Sequence, residues 1–128
     1  MEVPASDTGA YGIITPGKKD GQVTEISAIV EKPSPETAPS TKAVVGRYIL
    51  EAGVFDVLSK GQRGAGGEIQ LTDALAARIG HVPFHGFDFS GERFDCGSKI
   101  GFLKANIAFG LVRDELRGDL AEWLPTRL

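Results

Sequence analysis

Three clusters of side chains in this chain have the types and spacing that chemistry needs. The first is Val30-Glu31-Lys32-Pro33, a carboxylate beside an ammonium at the end of an apolar run. Adjacent strand residues face opposite ways, but a strand that runs into proline twists at its end, so both heads can reach one cleft. Glu31 only accepts hydrogen bonds and suits two hydroxyls of a sugar, whereas Lys32 is a compact cation suited to a phosphate. The same residues also read as a solvated pair on a loop. The second cluster is Arg93-Phe94-Asp95-Cys96-Gly97, an acid at the end of a strand just ahead of a helix. One aspartate can hold Mg²⁺ when substrate phosphates complete the shell. Asp95 reads equally as a helix cap or as the partner of Arg93. The third is Gly66-Gly67-Glu68-Ile69-Gln70-Leu71-Thr72-Asp73-Ala74. Amides in a glycine-rich turn before a helix can bind an anion, and Glu68 suits the positive end of the helix dipole. Against that, Thr72 and Asp73 fit ordinary polar positions of a first helical turn, and neither GxxxxGK[ST] nor GxGxxG occurs.

Other reactive types carry less. His81 and His85 are four apart, but Pro83 between them forbids the helix that would align them as metal ligands. Cys96 has no histidine near it in sequence and reads as a small buried hydrophobe rather than a nucleophile. Ser90 and Ser98 lie in no nucleophile-elbow sequence.

The elements that must position these clusters follow from periodicity. Residues 11–15 predict a short strand, residues 16–21 a turn, and residues 23–31 a second strand that alternates before the buried run Ile29-Val30. Three prolines make residues 33–40 an irregular surface excursion, and residues 43–50 predict a third strand. Residues 51–59 suit a short helix stopped by glycines, and residues 69–79 a helix with Leu71, Leu75 and Ile79 in line. Residues 82–94 read as two strands about Ser90-Gly91-Glu92, with phenylalanines packing across them. Residues 98–112 form a helix capped by Ser98 with Ile100, Leu103, Ile107 and Leu111 on one face, and an amphipathic piece at 114–124 completes the chain. The class is α/β, a small mixed sheet covered by helices, with a bare edge where a further part of a fold could dock. Residues 1–128 are expected to form a single partial domain, within which residues 98–128 are a helical segment able to hold subunits together.

Bulk properties exclude several classes. The 128 residues are 41% hydrophobic, enough for one core. A formal net charge of −3 gives no electrostatic footprint for nucleic acid or an anionic bilayer. One cysteine rules out an internal disulfide, and no apolar stretch approaches the roughly 20 residues that span a membrane. The first residues lack a basic and an apolar region, so a cytoplasmic location is expected.

In order along the chain, Tyr11-Gly12-Ile13-Ile14, Val30-Glu31-Lys32-Pro33, Ala43-Val44-Val45-Gly46-Arg47-Tyr48, the Gly64 to Ala74 block and Phe94-Asp95-Cys96-Gly97 resemble the bacterial UTP:glucose-1-phosphate uridylyltransferases. The likeness runs from about Val3 to Leu124. It implies a Rossmann-like nucleotidyltransferase fold and attack of the glucose 1-phosphate oxygen on the α-phosphorus of UTP, giving UDP-glucose and pyrophosphate with Mg²⁺. It places the Gly12 backbone and Glu31 on glucose hydroxyls, Lys32 on the sugar-side phosphate as the catalytic cation, the Val44 backbone beside the sugar, and Asp95 on the metal. Tyr11 would shape the pocket, and residues 68–73 would support it.

The family's glycine-rich loop of the type G-x-G-T-R-x-x-P-x-T-K is missing, with the uridine-reading strands and a second metal aspartate that accompany it. The chain therefore reads as the sugar-binding, C-terminal part of the enzyme, with little activity of its own and with UTP held by the absent half. Two alternatives stand beside this reading. One is another hexose 1-phosphate nucleotidyltransferase. The other is a non-catalytic module in which Phe102, Phe109 and Trp123 make a homo-oligomer contact.

Overall fold

The computed structural model describes residues 1–127 and divides the chain into two compact units, Met1–Phe89 and the residues from Ser90 onward. In the first unit the strands β1 (Gly12–Asp20), β2 (Val23–Glu31), β3 (Ala43–Val44) and β4 (His85–Phe87) form one sheet in the order β3-β1-β2-β4. Two short helices, α1 (Gly53–Leu58) and α2 (Leu71–Ala76), belong to the same unit. The α/β class holds, while every named strand pair is antiparallel rather than mixed.

β1 and β2 form the expected hairpin, but its turn is Gly21 and Gln22 alone, so β1 continues through the stretch from Pro16 that suggested a loop. Gly21 takes φ 56, the positive value that the first position of a type II′ turn requires. Proline is tolerated at residue 16 because β3 pairs only with Gly12 and Ile13, which leaves the rest of β1 at the sheet edge. The register also slips there: Thr15 faces Ala28 and Pro16 faces Ile26. Ser27 is looped out, with its hydroxyl donating to the Thr15 carbonyl at 3.0 Å. This bulge explains why burial in β2 runs Thr24, Ile26 and then Ile29 instead of keeping a strict alternation.

The third strand is shorter than residues 43–50, because only Ala43 and Val44 have a partner. Residues 82–94 contain one strand instead of two. β4 pairs with the start of β2, and Phe94 lies in the second unit, edge-on to Phe109 with ring centroids 6.0 Å apart.

At its first residues β1 is buried on both faces. Ile14 joins Ile26, Ile29, Val54, Ala74 and Leu75 in one cluster, and Ile13 joins Val3 and Ala43 in another. Ile13 is wholly inaccessible, and burying such a side chain stabilises by about 1.5–3 kcal/mol. The sheet also curls. Lys42, one residue before β3, and Asp88, one residue after β4, stand on opposite edges, yet Lys42 Nζ lies 3.3 Å from Asp88 Oδ2.

The second unit contains α3 (Lys99–Leu111) and α4 (Asp114–Trp123). Ser98 caps α3 as expected, its Oγ accepting the Gly101 N–H at 3.1 Å. The buried residues of α3 are Gly101, Ala105 and Gly110, with Leu120 of α4 lying over Gly110. Gly101 instead lies against the Asp95 carbonyl, and Ile100 and Leu103 of the expected apolar face are exposed. Cys96 is exposed, not buried as the sequence suggested. No helix among the described residues is long and apolar enough to cross a membrane. Leu128, the last residue of the expected helical segment, lies outside the described residues.

Candidate functional site

The site is built around Gly12. In the sheet it stands between Glu31 of β2 and Val44 of β3, so three residues singled out from sequence share one line across three strands. A side chain at this position would be tightly crowded. A Cβ on Gly12 would lie 3.1 Å from Cγ2 and 3.2 Å from Oγ1 of Thr72, and 3.2 Å from Oε2 of Glu31. The absent side chain lets the second residue of α2 and the Glu31 carboxylate meet over the strand backbone.

Lys32 follows Glu31 with φ 48, and it is the one non-glycine residue with positive φ among those described. Left-handed backbone is costly for a side chain with a Cβ, and more so before proline. What fixes it is local: the Lys32 N–H donates to the Tyr11 carbonyl at 2.9 Å, and Pro33 is buried. The turn brings the two heads to one side, with Lys32 Nζ 3.9 Å from Glu31 Oε1. Their exposures differ in a useful way. The Glu31 side chain is 11% exposed and the Lys32 side chain 48%. A largely enclosed carboxylate can therefore sort hydroxyls by position, while a half-open ammonium can meet an anion arriving from solvent. Tyr48 stands within reach of the same charge: burial, and then the negative charge of Glu31, push its phenol above the ordinary tyrosine value.

The first unit thus brings Tyr11, Gly12, Glu31, Lys32 and Val44 together. Thr72 was assigned only a supporting place by its sequence block, and Tyr48 had no role. Their nearness to Glu31 and Gly12 depends on contacts 17 to 60 residues away in sequence, which no local pattern encodes. The glycine block spends two of its amides on itself. The Gly64 N–H donates to the Glu68 carbonyl and the Gly67 N–H to that of Gly64, so both amides are used inside the loop. Gly64 makes space for the Asp73 carboxylate, which a Cβ there would strike.

Asp95 belongs to the second unit. Its Oδ1 accepts the Gly97 N–H at 3.1 Å, and its carbonyl accepts the Ser98 hydroxyl at 3.0 Å. Asp95 therefore shapes the entry to α3, while Ser98 is the helix cap. Among the described residues no group of three or more His, Cys, Asp or Glu is placed to hold a metal ion. Any cation at Asp95 would draw most of its ligands from elsewhere.

The sequence model of the family described as nucleotidyl transferase matches residues 1–109. The UTP–glucose-1-phosphate uridylyltransferase of Komagataeibacter xylinus is 53% identical over 124 residues, which cover 97% of this chain and 41% of that protein. The enzyme of the same name from Staphylococcus haemolyticus is 44% identical over 124 residues, covering 97% and 43%. Among solved structures, a UDP-glucose pyrophosphorylase complexed with UDP-glucose superimposes with a TM-score of 0.81 at 40% identity, over 88% of this chain and 42% of that one. The UDP-glucose pyrophosphorylase of Acinetobacter baumannii does so with 0.81 at 32% identity, over 99% and 44%. The chain spans 41% to 43% of the length of these curated relatives. With the family's model matching residues 1–109, the chain belongs to the nucleotidyl transferase family.

Proposed function

We propose that this chain forms the sugar-phosphate side of a UTP:glucose-1-phosphate uridylyltransferase, which transfers UMP from UTP to glucose 1-phosphate. The observation that carries this reading is the alignment of Glu31 and Val44 on either side of Gly12, with Lys32 turned back beside Glu31. The 53% identity with the Komagataeibacter xylinus enzyme supports the choice of base and sugar.

Glu31 accepts hydrogen bonds from glucose hydroxyls, the backbone at Gly12 and Val44 borders the ring, and Tyr11 shapes the pocket. Lys32 meets the sugar-side phosphate. A phosphate oxygen of glucose 1-phosphate forms a bond to the α-phosphorus of UTP, and the bond from that phosphorus to the β-phosphate oxygen breaks, releasing pyrophosphate. Positioning and charge neutralisation suffice for this exchange, and Lys32 contributes by holding a positive charge where negative charge gathers. Asp95 offers the single carboxylate that Mg²⁺ accepts when phosphates complete its shell, and the ion when bound would supply further charge neutralisation. UTP is held by the part of the fold that lies outside the match.

Calorimetry with UDP-glucose and Mg²⁺ tests the reading. The chain is expected to bind the nucleotide sugar with little turnover. Lys32→Ala should weaken binding about tenfold or more, as expected for a charged hydrogen bond worth about 1.5–3 kcal/mol. Unchanged affinity in that variant would sink the assignment. Subunit assembly is a second reading, favoured by the exposure of Phe102, Phe109 and Trp123. Light scattering before and after deletion of residues 114–128 decides it.

A further inference from the structure

Residues 1–11 run beside the segment that joins β2 to β3 and grip it at both ends. At the far end the Val3 N–H donates to the Thr41 carbonyl at 2.9 Å, the Ala43 N–H to the Met1 carbonyl at 2.8 Å, and the Thr41 hydroxyl to Glu2 Oε2 at 2.6 Å. At the near end the Lys32 N–H donates to the Tyr11 carbonyl, and the Thr8 hydroxyl reaches the Pro33 carbonyl at 3.5 Å. The near grip therefore falls on the left-handed turn that carries the Lys32 ammonium.

Thr8 lies in a short 3-10 helix, Ala5–Ala10, and has no exposed surface. Its hydroxyl has one proton and two carbonyls to serve, that of Ala5 at 2.9 Å and that of Pro33 at 3.5 Å. The contact with Ala5 is the local kind that threonine makes readily at a protein surface, so it does not by itself call for burial. The contact with Pro33 does, because it joins segments 25 residues apart. The Thr8 backbone reaches the same turn from the other side: its carbonyl accepts the Tyr11 N–H at 3.1 Å, and the Tyr11 carbonyl in turn takes the Lys32 N–H. Lys32 is thus flanked by two links to one buried residue. Left-handed backbone is disfavoured roughly tenfold for a residue with a Cβ, a margin that one or two hydrogen bonds offset.

We propose that Thr8 is a positioning residue for Lys32: it holds the left-handed turn closed and so sets where the ammonium stands beside Glu31. Thr8 touches no substrate in this account and acts only through the turn. That it holds the turn follows from the contacts alone, while its effect on binding rests on the reading of Lys32 as the cation for the sugar-side phosphate. Without the hydroxyl, the backbone at Lys32 relaxes to negative φ, the side chain swings away from Glu31, and the phosphate loses a cation fixed in place before it arrives.

Thr8→Val removes the hydroxyl at nearly constant volume, and Thr8→Ser restores it. In the chain without ligand, NMR reads the turn directly, since the Overhauser effect between the amide and α protons of one residue is strongest at positive φ. That signal at Lys32 should weaken severalfold in Thr8→Val and return in Thr8→Ser, and the Lys32 amide should exchange about tenfold faster in the valine variant, the size of one hydrogen bond. An unchanged Lys32 signal and exchange rate in Thr8→Val overturns the proposal whatever the ligand does. Should that variant not fold, an ester in place of the Pro33–Ser34 peptide bond decides, because it makes the Pro33 carbonyl a poorer acceptor and leaves Thr8 in place; a turn that persists there overturns the proposal too. Calorimetry with UDP-glucose and Mg²⁺ then reads the consequence. Affinity should fall about threefold to tenfold in Thr8→Val, and the same substitution should cost nothing further once Lys32 is replaced by alanine. Equal losses in both backgrounds would mean that Thr8 supports the core and not Lys32, which overturns the proposal. If Lys32→Ala alone leaves affinity unchanged, the phosphate reading of Lys32 falls, and the NMR result still decides what holds the turn.

Discussion

The two ends of the β1–β2 hairpin are made of the same pair of strands and behave differently. At the end that carries Gly12, four consecutive pairs hold register, from Gly12 with Glu31 to Thr15 with Ala28, and β1 is covered on both faces while Val30 of β2, which the sequence suggested was buried, is exposed. Towards the turn, the register slips twice and β1 is exposed from Pro16 to Asp20. Burial on both faces makes a one-residue slip expensive, because it would send every side chain to the wrong side. At the open end a slip costs little, and the chain uses polar tethers instead: the Asp88 N–H donates to the Gln22 carbonyl at 2.8 Å, and Lys19 Nζ reaches Asp88 Oδ2 at 3.2 Å. The difference teaches where a binding site belongs. The proposed sugar-phosphate site stands at the end whose geometry is over-determined.

The contrast can be broken at the closed end. Ile13→Ala removes a side chain with no exposed surface and should cost about 2–5 kcal/mol, read by chemical denaturation. Gly12→Ala should cost less, about 1–3 kcal/mol for an overpacked contact against Thr72 and Glu31, but should reduce binding of UDP-glucose more than its stability loss explains. A variant that melts early and still binds normally would show that Glu31 and Thr72 are free to move aside.

The open end should respond weakly. The hydrogen bond from Lys19, and after it Lys42, holds the Asp88 carboxyl below the usual aspartate range. A depressed value means that the contribution is present above the ordinary aspartate pKa and is lost as pH falls through the folded one. Asp88→Asn should therefore lower stability near neutrality by the amount typical of exposed ion pairs, about 0.2–1 kcal/mol, and the gap from the unaltered chain should close on acidification below roughly pH 4. Thermal melts of both proteins from neutral to acid pH check this. Pro16→Ala should be smallest, within about 0.5 kcal/mol either way, because the residue is exposed where the register slips.

Much of this was legible in the sequence, for reasons that also mark its limits. Residues 23–31 announced a strand because half-buried strands alternate, but the slip at Ser27 is set by what lies opposite, and one strand's sequence does not contain its partner. Residues 43–50 have strand composition, yet composition supplies no neighbour to bond with, and only Ala43 and Val44 have one. On α3 the large apolar residues suggested the buried face, whereas the helix buries Gly101, Ala105 and Gly110, the first against the Asp95 carbonyl and the last under the Leu120 side chain. At the site, Glu31 and Lys32 were readable as neighbours in sequence with complementary chemistry. Thr72 was not, since its place over Gly12 is created by the seating of α2.

The left-handed backbone at Lys32 has a consequence for how this position can drift. Glycine there would relax the turn, and asparagine would strain it less, because both occupy such backbone more readily. Neither carries an ammonium. Selection for stability alone should therefore pull the position away from lysine, and selection for phosphate recognition should hold it, so its occupant records which of the two pressures governs a lineage.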